Sequence, residues 1–135
     1  MAVERTEFLK LGGFDEQFFM FYEDIDFGLR ATHSGIGVHN SPQWIVEHEV
    51  GHAARKNWNS ALQTSYESGR YFHTKHGSNK RAYDLYVGVD SVIRYFLCCV
   101  KGSNPAMRRA YGALGLRAFK HSLARETRKP PGVSP

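Results

Sequence analysis

A chain of 135 residues suits one small domain and is too short for two independent cores. With 41% apolar and 23% charged residues it is not a disordered polypeptide, and no run approaches the roughly 18 apolar residues of a membrane span. The net charge of +5 is unevenly placed: residues 101–135 hold eight Lys or Arg against Glu126 alone, whereas residues 1–100 carry a slight acidic excess.

Met1 to Arg5 has no apolar stretch of the kind a signal peptide needs. Val3 to Leu11 reads as a strand or short helix that runs into the Gly12-Gly13 break. Gly13-Phe14-Asp15-Glu16 reads as a turn, with Asp15 placed to cap a short helical segment over Gln17 to Phe21. A helix is predicted from Glu23-Asp24 to about His33, with Ile25 and Leu29 on one face and Ser34-Gly35 ending it. Ile36 to Val38 and, after Pro42, Trp44-Ile45-Val46 are strand candidates, and the second delivers Glu47, His48 and Glu49.

The remainder reads as helical. Ser60 to Gln63 has capping-box spacing and opens a helix ending near Gly77. From Tyr83 to Val100, the residues Leu85, Val89, Val92, Ile93, Phe96 and Val100 recur at helical spacing, with Asp90 and Arg94 paired four apart. Adjacent Cys98 and Cys99 have apolar flanks and read as buried thiols of a reducing compartment. Asn104-Pro105 reads as a cap and first helical residue. The helix after it places Met107, Tyr111, Leu114 and Ala118 on one side. Lys129-Pro130-Pro131-Gly132 cannot continue it, so 129–135 is expected to be a disordered tail.

The densest chemical signal is the stretch from Gly12 to Arg30, in which Glu23, Asp24 and Asp26 crowd the first turn of a helix. Free N–H groups and the helix dipole favour negative charge there by about 0.3–1 kcal/mol each. A carboxylate held at such a point beside aromatic residues can take a proton from a substrate hydroxyl. Acidic residues also cap and solvate helix starts with no further role.

Gly12-Gly13-Phe14-Asp15-Glu16, then Phe18-Phe19, then Glu23-Asp24-x-Asp26-x-x-x-Arg30 with Gly35 closing the helix, resembles the acceptor-side signature of family 2 inverting glycosyltransferases. Bacterial rhamnosyltransferase-like members that build cell-wall and surface polysaccharides are the most similar. The resemblance is good over residues 1–57 and looser beyond, where Tyr71-Phe72-x-x-Lys75-His76-Gly77 is similar to a segment common in these enzymes. It implies an α/β chain: the C-terminal half of a GT-A (Rossmann-like) fold followed by a helical extension. The divisions it implies are an acceptor-side part at 1–57, a helical region at 58–128 and the tail.

By that resemblance Asp24 takes the place of the catalytic base, supported by Glu23. Asp15, Gly13 and Asp26 line or shape the acceptor site. His48 lies near a metal-bound diphosphate, with Gly51 matching and Ala53 standing where serine is frequent. The complete enzyme is expected to need Mg or Mn, a nucleotide-sugar donor and a glycan or lipid-linked acceptor. The donor-binding half with its D-x-D motif is expected to be missing here, leaving the isolated chain inactive.

Two other readings stay open. His48-Glu49-Val50-Gly51-His52 matches the H-E-x-x-H pattern of zinc hydrolases, with Glu67 a candidate third ligand. Alternatively the chain is a non-catalytic remnant that binds a membrane or partner. An apolar helix followed by a basic one suits attachment to an anionic bilayer at the inner face of the cell membrane, in an otherwise cytoplasmic protein. Both helices packed over the catalytic half would satisfy the same pattern. No nucleic-acid-reading motif accompanies the basic charge.

Overall fold

In the computed structural model, residues 2–39, 42–43, 57–102 and 104–124 are described. They form five helices: α1 (Arg5–Lys10), α2 (Glu23–His33), α3 (Trp58–Lys75), α4 (Lys80–Val100) and α5 (Pro105–Leu123). There is no strand among the described residues, so the expectation of an α/β, Rossmann-like half is corrected to an all-helical fold. Ile36 to Val38 takes no regular structure. A three-residue apolar run carries little strand information, and without a neighbouring strand its backbone groups have no ladder to join. Trp44 to Val46 lies outside the described residues, as do His48 and the tail from 125 onward.

Several boundaries follow from caps. Asn57, not Ser60, caps α3, its side chain accepting the Ser60 N–H at 3.1 Å. Asn79 starts α4 three residues earlier than the apolar spacing suggests, accepting the N–H groups of Arg81 and Ala82. Asn104 caps α5 with Pro105 at its first position. Residues 17–21 form turns rather than the expected short helix. Asp15 caps a turn there, accepting the Gln17 N–H at 2.9 Å.

The core lies where α3, α4 and α5 meet. Tyr66, Leu114 and Ala118 form its centre, with Leu62, Tyr83 and Val87 packed around them. α4 and α5 approach closely because a glycine stands on each side of their contact. A Cβ on Gly88 would sit 3.0 Å from the Phe119 ring, and one on Gly115 would sit 3.3 Å from the Ser91 Cβ. α4 therefore buries Asp84, Gly88, Ser91 and Cys98, while Cys99 is exposed, correcting the expectation of two buried thiols.

Candidate functional site

Residues 11–30 form a loop and helix docked against the C-terminal half of α3. Gly12 and Gly13 both have positive φ, at 77° and 70°, as the tight turn requires. Arg30 reaches back across this turn, donating through Nη2 to the Gly13 carbonyl at 2.7 Å and through Nη1 to the Leu11 carbonyl. Its Nε pairs with Asp26 at 2.8 Å. One guanidinium thus ties the glycine turn to the acidic helix. Phe14 packs edge to face on Phe8 and Phe27, whose own rings are tilted against each other beneath it.

The docking onto α3 is made by residues that carry the glycine-acidic motif. Phe18 is buried against Tyr71, with ring centres 4.8 Å apart. Ser68 donates to the Met20 carbonyl at 2.7 Å. Lys75 bridges two motif carboxylates, lying 2.7 Å from both Asp15 Oδ2 and Asp26 Oδ1. Tyr71 also donates to Asp15, and His76 Nε2 lies 2.9 Å from Asp26.

These partners set the protonation of both aspartates. The Lys75 hydrogen bond, helped by the Gln17 N–H and Tyr71 against a smaller effect of burial, holds the Asp15 carboxyl down to about 2. Burial is the largest influence on Asp26 and pushes its carboxyl up. Lys75, His76 and Arg30 together outweigh it, so the group lies below the ordinary carboxylate range. Asp15 and Asp26 are thus ionised clamps in this geometry.

Glu23 and Asp24 differ from them. Among the described residues neither has a cation within ion-pair reach. Asp24 is exposed, and its Oδ1 accepts the N–H of its neighbour Ile25 at 2.8 Å. The Oε2 of Glu23 is shielded from solvent and accepts no hydrogen bond among the described residues. Just before the pair, Phe21 and Tyr22 both adopt left-handed backbone, with φ of 67° and 70°. For bulky residues that conformation costs about 1–2 kcal/mol each. Packing holds it in place. Tyr22 stacks on Phe72, its hydroxyl lies 3.4 Å from that of Tyr83, and both hydroxyls crowd the bare face of Gly69. Strain of this kind gathers at functional sites.

Tyr22 also lines a cleft of about 310 Å³ between α3, α4 and α5. Tyr66, Tyr83, Tyr86 and Tyr111 form much of its wall, with Asp90 and Arg94 at its edge. A second concavity, of about 230 Å³, joins Gln17 and Phe19 of the motif loop to Thr64, Glu67, Ser68 and Tyr71 of α3. Asp24 lines neither.

Beneath the tyrosine cleft, Asp84 is fully buried. Its Oδ1 accepts the Tyr66 hydroxyl at 2.6 Å and lies 2.9 Å from Arg70 Nε, while Oδ2 has no hydrogen-bond partner among the described residues. The single Tyr66 proton goes to Asp84, so His121 Nδ1, 3.0 Å away, carries hydrogen toward the phenol oxygen. Burial and then Arg70 push the His121 imidazole below its ordinary value.

A curated relative aligns with part of this chain. It is the rhamnosyltransferase WbbL of Escherichia coli (strain K12), 32% identical over 85 residues. The aligned stretch covers 62% of this chain and 32% of that protein, so the chain spans about a third of the relative's length. No family model matches the chain, and no solved structure matches it. The chain is therefore similar to a glycosyltransferase over part of its length.

The remaining sequence candidates fall mostly outside the described residues. His48 and the whole His48-Glu49-Val50-Gly51-His52 pattern lie outside the described residues. Glu67, the third ligand of the zinc reading, is paired with Arg117. No group of three or more His, Cys, Asp or Glu that could hold a metal ion occurs among the described residues. Sequence reasoning did not assign roles to Ser68, Tyr71, Lys75 and His76. The signal for Tyr71, Lys75 and His76 was the Tyr71-to-Gly77 segment, legible as a likeness but not as the surface on which the acidic loop rests; Ser68 had none.

Proposed function

We propose that this chain supplies the acceptor-side residues of a glycosyltransferase, with Asp24 as the base. In this reading Asp24 takes the proton of an acceptor hydroxyl as that oxygen attacks the anomeric carbon of the donor sugar. The bond from that carbon to the nucleotide diphosphate breaks on the opposite face, with inversion. Glu23 supports the base, while Asp15 and Asp26, held by Lys75, keep the loop in register. The tyrosine cleft offers aromatic faces and hydroxyls of the kind that receive a glycan, and it meets the motif at Tyr22.

The observation that supports this reading is a division of labour among the carboxylates. Asp15 and Asp26 are consumed by cations, whereas Glu23 and Asp24 follow a strained turn and pair with none among the described residues. The partial likeness to a rhamnosyltransferase gives that arrangement a chemistry.

The test exchanges the similar stretch of the E. coli rhamnosyltransferase for the corresponding residues of this chain and measures rhamnosyl transfer. Asp24→Asn in that chimera is expected to lower transfer by about 100-fold or more, the usual worth of a general base. The same change in the present chain should leave thermal stability within about 0.5 kcal/mol. Undiminished transfer by an Asp24→Asn chimera would refute the assignment. If the chimera does not fold, sugar binding decides: a glycan-array or NMR titration of the full chain in which Tyr86→Ala leaves glycan contacts unchanged counts against the cleft.

A further inference from the structure

α4 wears its apolar side outward. Leu85, Val89, Val92, Ile93, Phe96 and Val100 are between 40% and 85% exposed, whereas the opposite face buries Asp84, Gly88, Ser91 and Cys98. Leu85, Val89, Val92, Phe96 and Val100 recur every three or four residues, with Ile93 beside Val92, so the six form one stripe along the helix. The inversion has a cause already described: the inner face gives Gly88 and Ser91 to the close α5 contact and Asp84 to the polar contacts with α3. The stripe leaves on the order of several hundred Å² of contiguous apolar surface in water, a size that on soluble domains often marks an interaction site.

The charge beside this stripe points to what covers it. From Ser91 to Arg125 the sequence contains no Asp or Glu, but it contains Arg94, Lys101, Arg108, Arg109, Arg117, Lys120 and Arg125. α5 repeats the pairing of apolar and basic residues. Leu116 and Leu123, 60% and 82% exposed, share a face with exposed Arg109 and Lys120 at spacings of seven, four and three. A second copy of the chain would bring the same cations into the contact and be repelled. No described helix is long and apolar enough to cross a membrane.

We propose that α4 lies flat on an anionic bilayer, its apolar stripe in the headgroup–acyl boundary and the α5 cations on the phosphates. This goes beyond the transferase reading and does not depend on it. The full chain is mixed with phosphatidylcholine vesicles, with or without phosphatidylglycerol, at low and high salt, and vesicle-bound protein is measured by flotation. Binding is expected to be about tenfold or more stronger with phosphatidylglycerol and to weaken with salt. Ile93→Asp with Phe96→Asp should lower it at least about tenfold with unchanged circular dichroism, because both side chains are already in water. Arg108→Gln with Arg109→Gln should lower binding and its salt dependence together.

Equal binding to both vesicle types, or binding untouched by the paired aspartates, overturns the proposal. So does light scattering that shows a dimer in solution which those aspartates convert to monomer, since the stripe would then belong to a second copy.

Discussion

Two fully buried aspartates, Asp26 in the acidic loop and Asp84 in the helical core, are handled in opposite ways. Asp26 meets three basic side chains, Arg30, Lys75 and His76, from two helices and a helix end. Asp84 meets a phenol and one arginine, and one of its oxygens has no hydrogen-bond partner among the described residues. A buried charge is tolerated when enough donors surround it, and its removal strands them. The first arrangement fastens a loop to α3, and the second holds three helices around a polar centre. The contrast suggests where the molecule places its stability and where it leaves polar capacity unused.

The comparison makes graded predictions. Asp26→Ala should have the largest effect, because it strands three partly buried basic groups and frees the loop from α3. A loss of about 3 kcal/mol is expected, read as a fall in thermal midpoint of roughly 10 °C. A fall as small as that of a surface variant would show that the loop is held by its aromatic contacts alone. Tyr66→Phe comes next. It removes the donor to Asp84 and the acceptor of His121, and should cost about 2 kcal/mol by denaturant titration. An unchanged midpoint would mean that Arg70 satisfies Asp84 unaided.

The smallest effect concerns acid. The folded carboxyl of Asp15 lies at about 2, below its ordinary 3.8. A depressed folded value gives stability that is present above 3.8 and is lost as pH falls through about 2. After allowance for solvent screening this is about 1 kcal/mol. Wild-type protein should therefore lose that much more stability between those pH values than Asp15→Asn does. Parallel acid curves for the two proteins would place the Lys75 clamp on Asp26 alone.

Local signals in the chain were strong wherever a residue acts through its own backbone neighbourhood. The α2 helix from Glu23, its end at Ser34-Gly35, the Gly12-Gly13 turn and the Asn104-Pro105 start of α5 could all be read directly, because caps and glycines act within a few residues. The expected strand at Ile36 to Val38 failed because strand identity depends on a partner that three residues do not specify. The site was legible in part. The carboxylates of the motif stood out, but nothing in their spacing distinguished the ion-paired Asp15 and Asp26 from Glu23 and Asp24.

The sequence by itself determined the helix-forming segments, the glycine turn and the crowding of acidic groups at one helix start, since all three arise from short-range geometry and propensity. Tertiary structure alone decided which carboxylates meet Lys75 and His76, that Phe21 and Tyr22 are held left-handed, and that the apolar stripe of α4 faces outward. Each of these depends on what a distant helix brings into contact. For α4 the deciding contact was with α5: the Phe119 ring closes on Gly88 and Gly115 on Ser91, while Leu85, Ile93 and Phe96 are left on the surface.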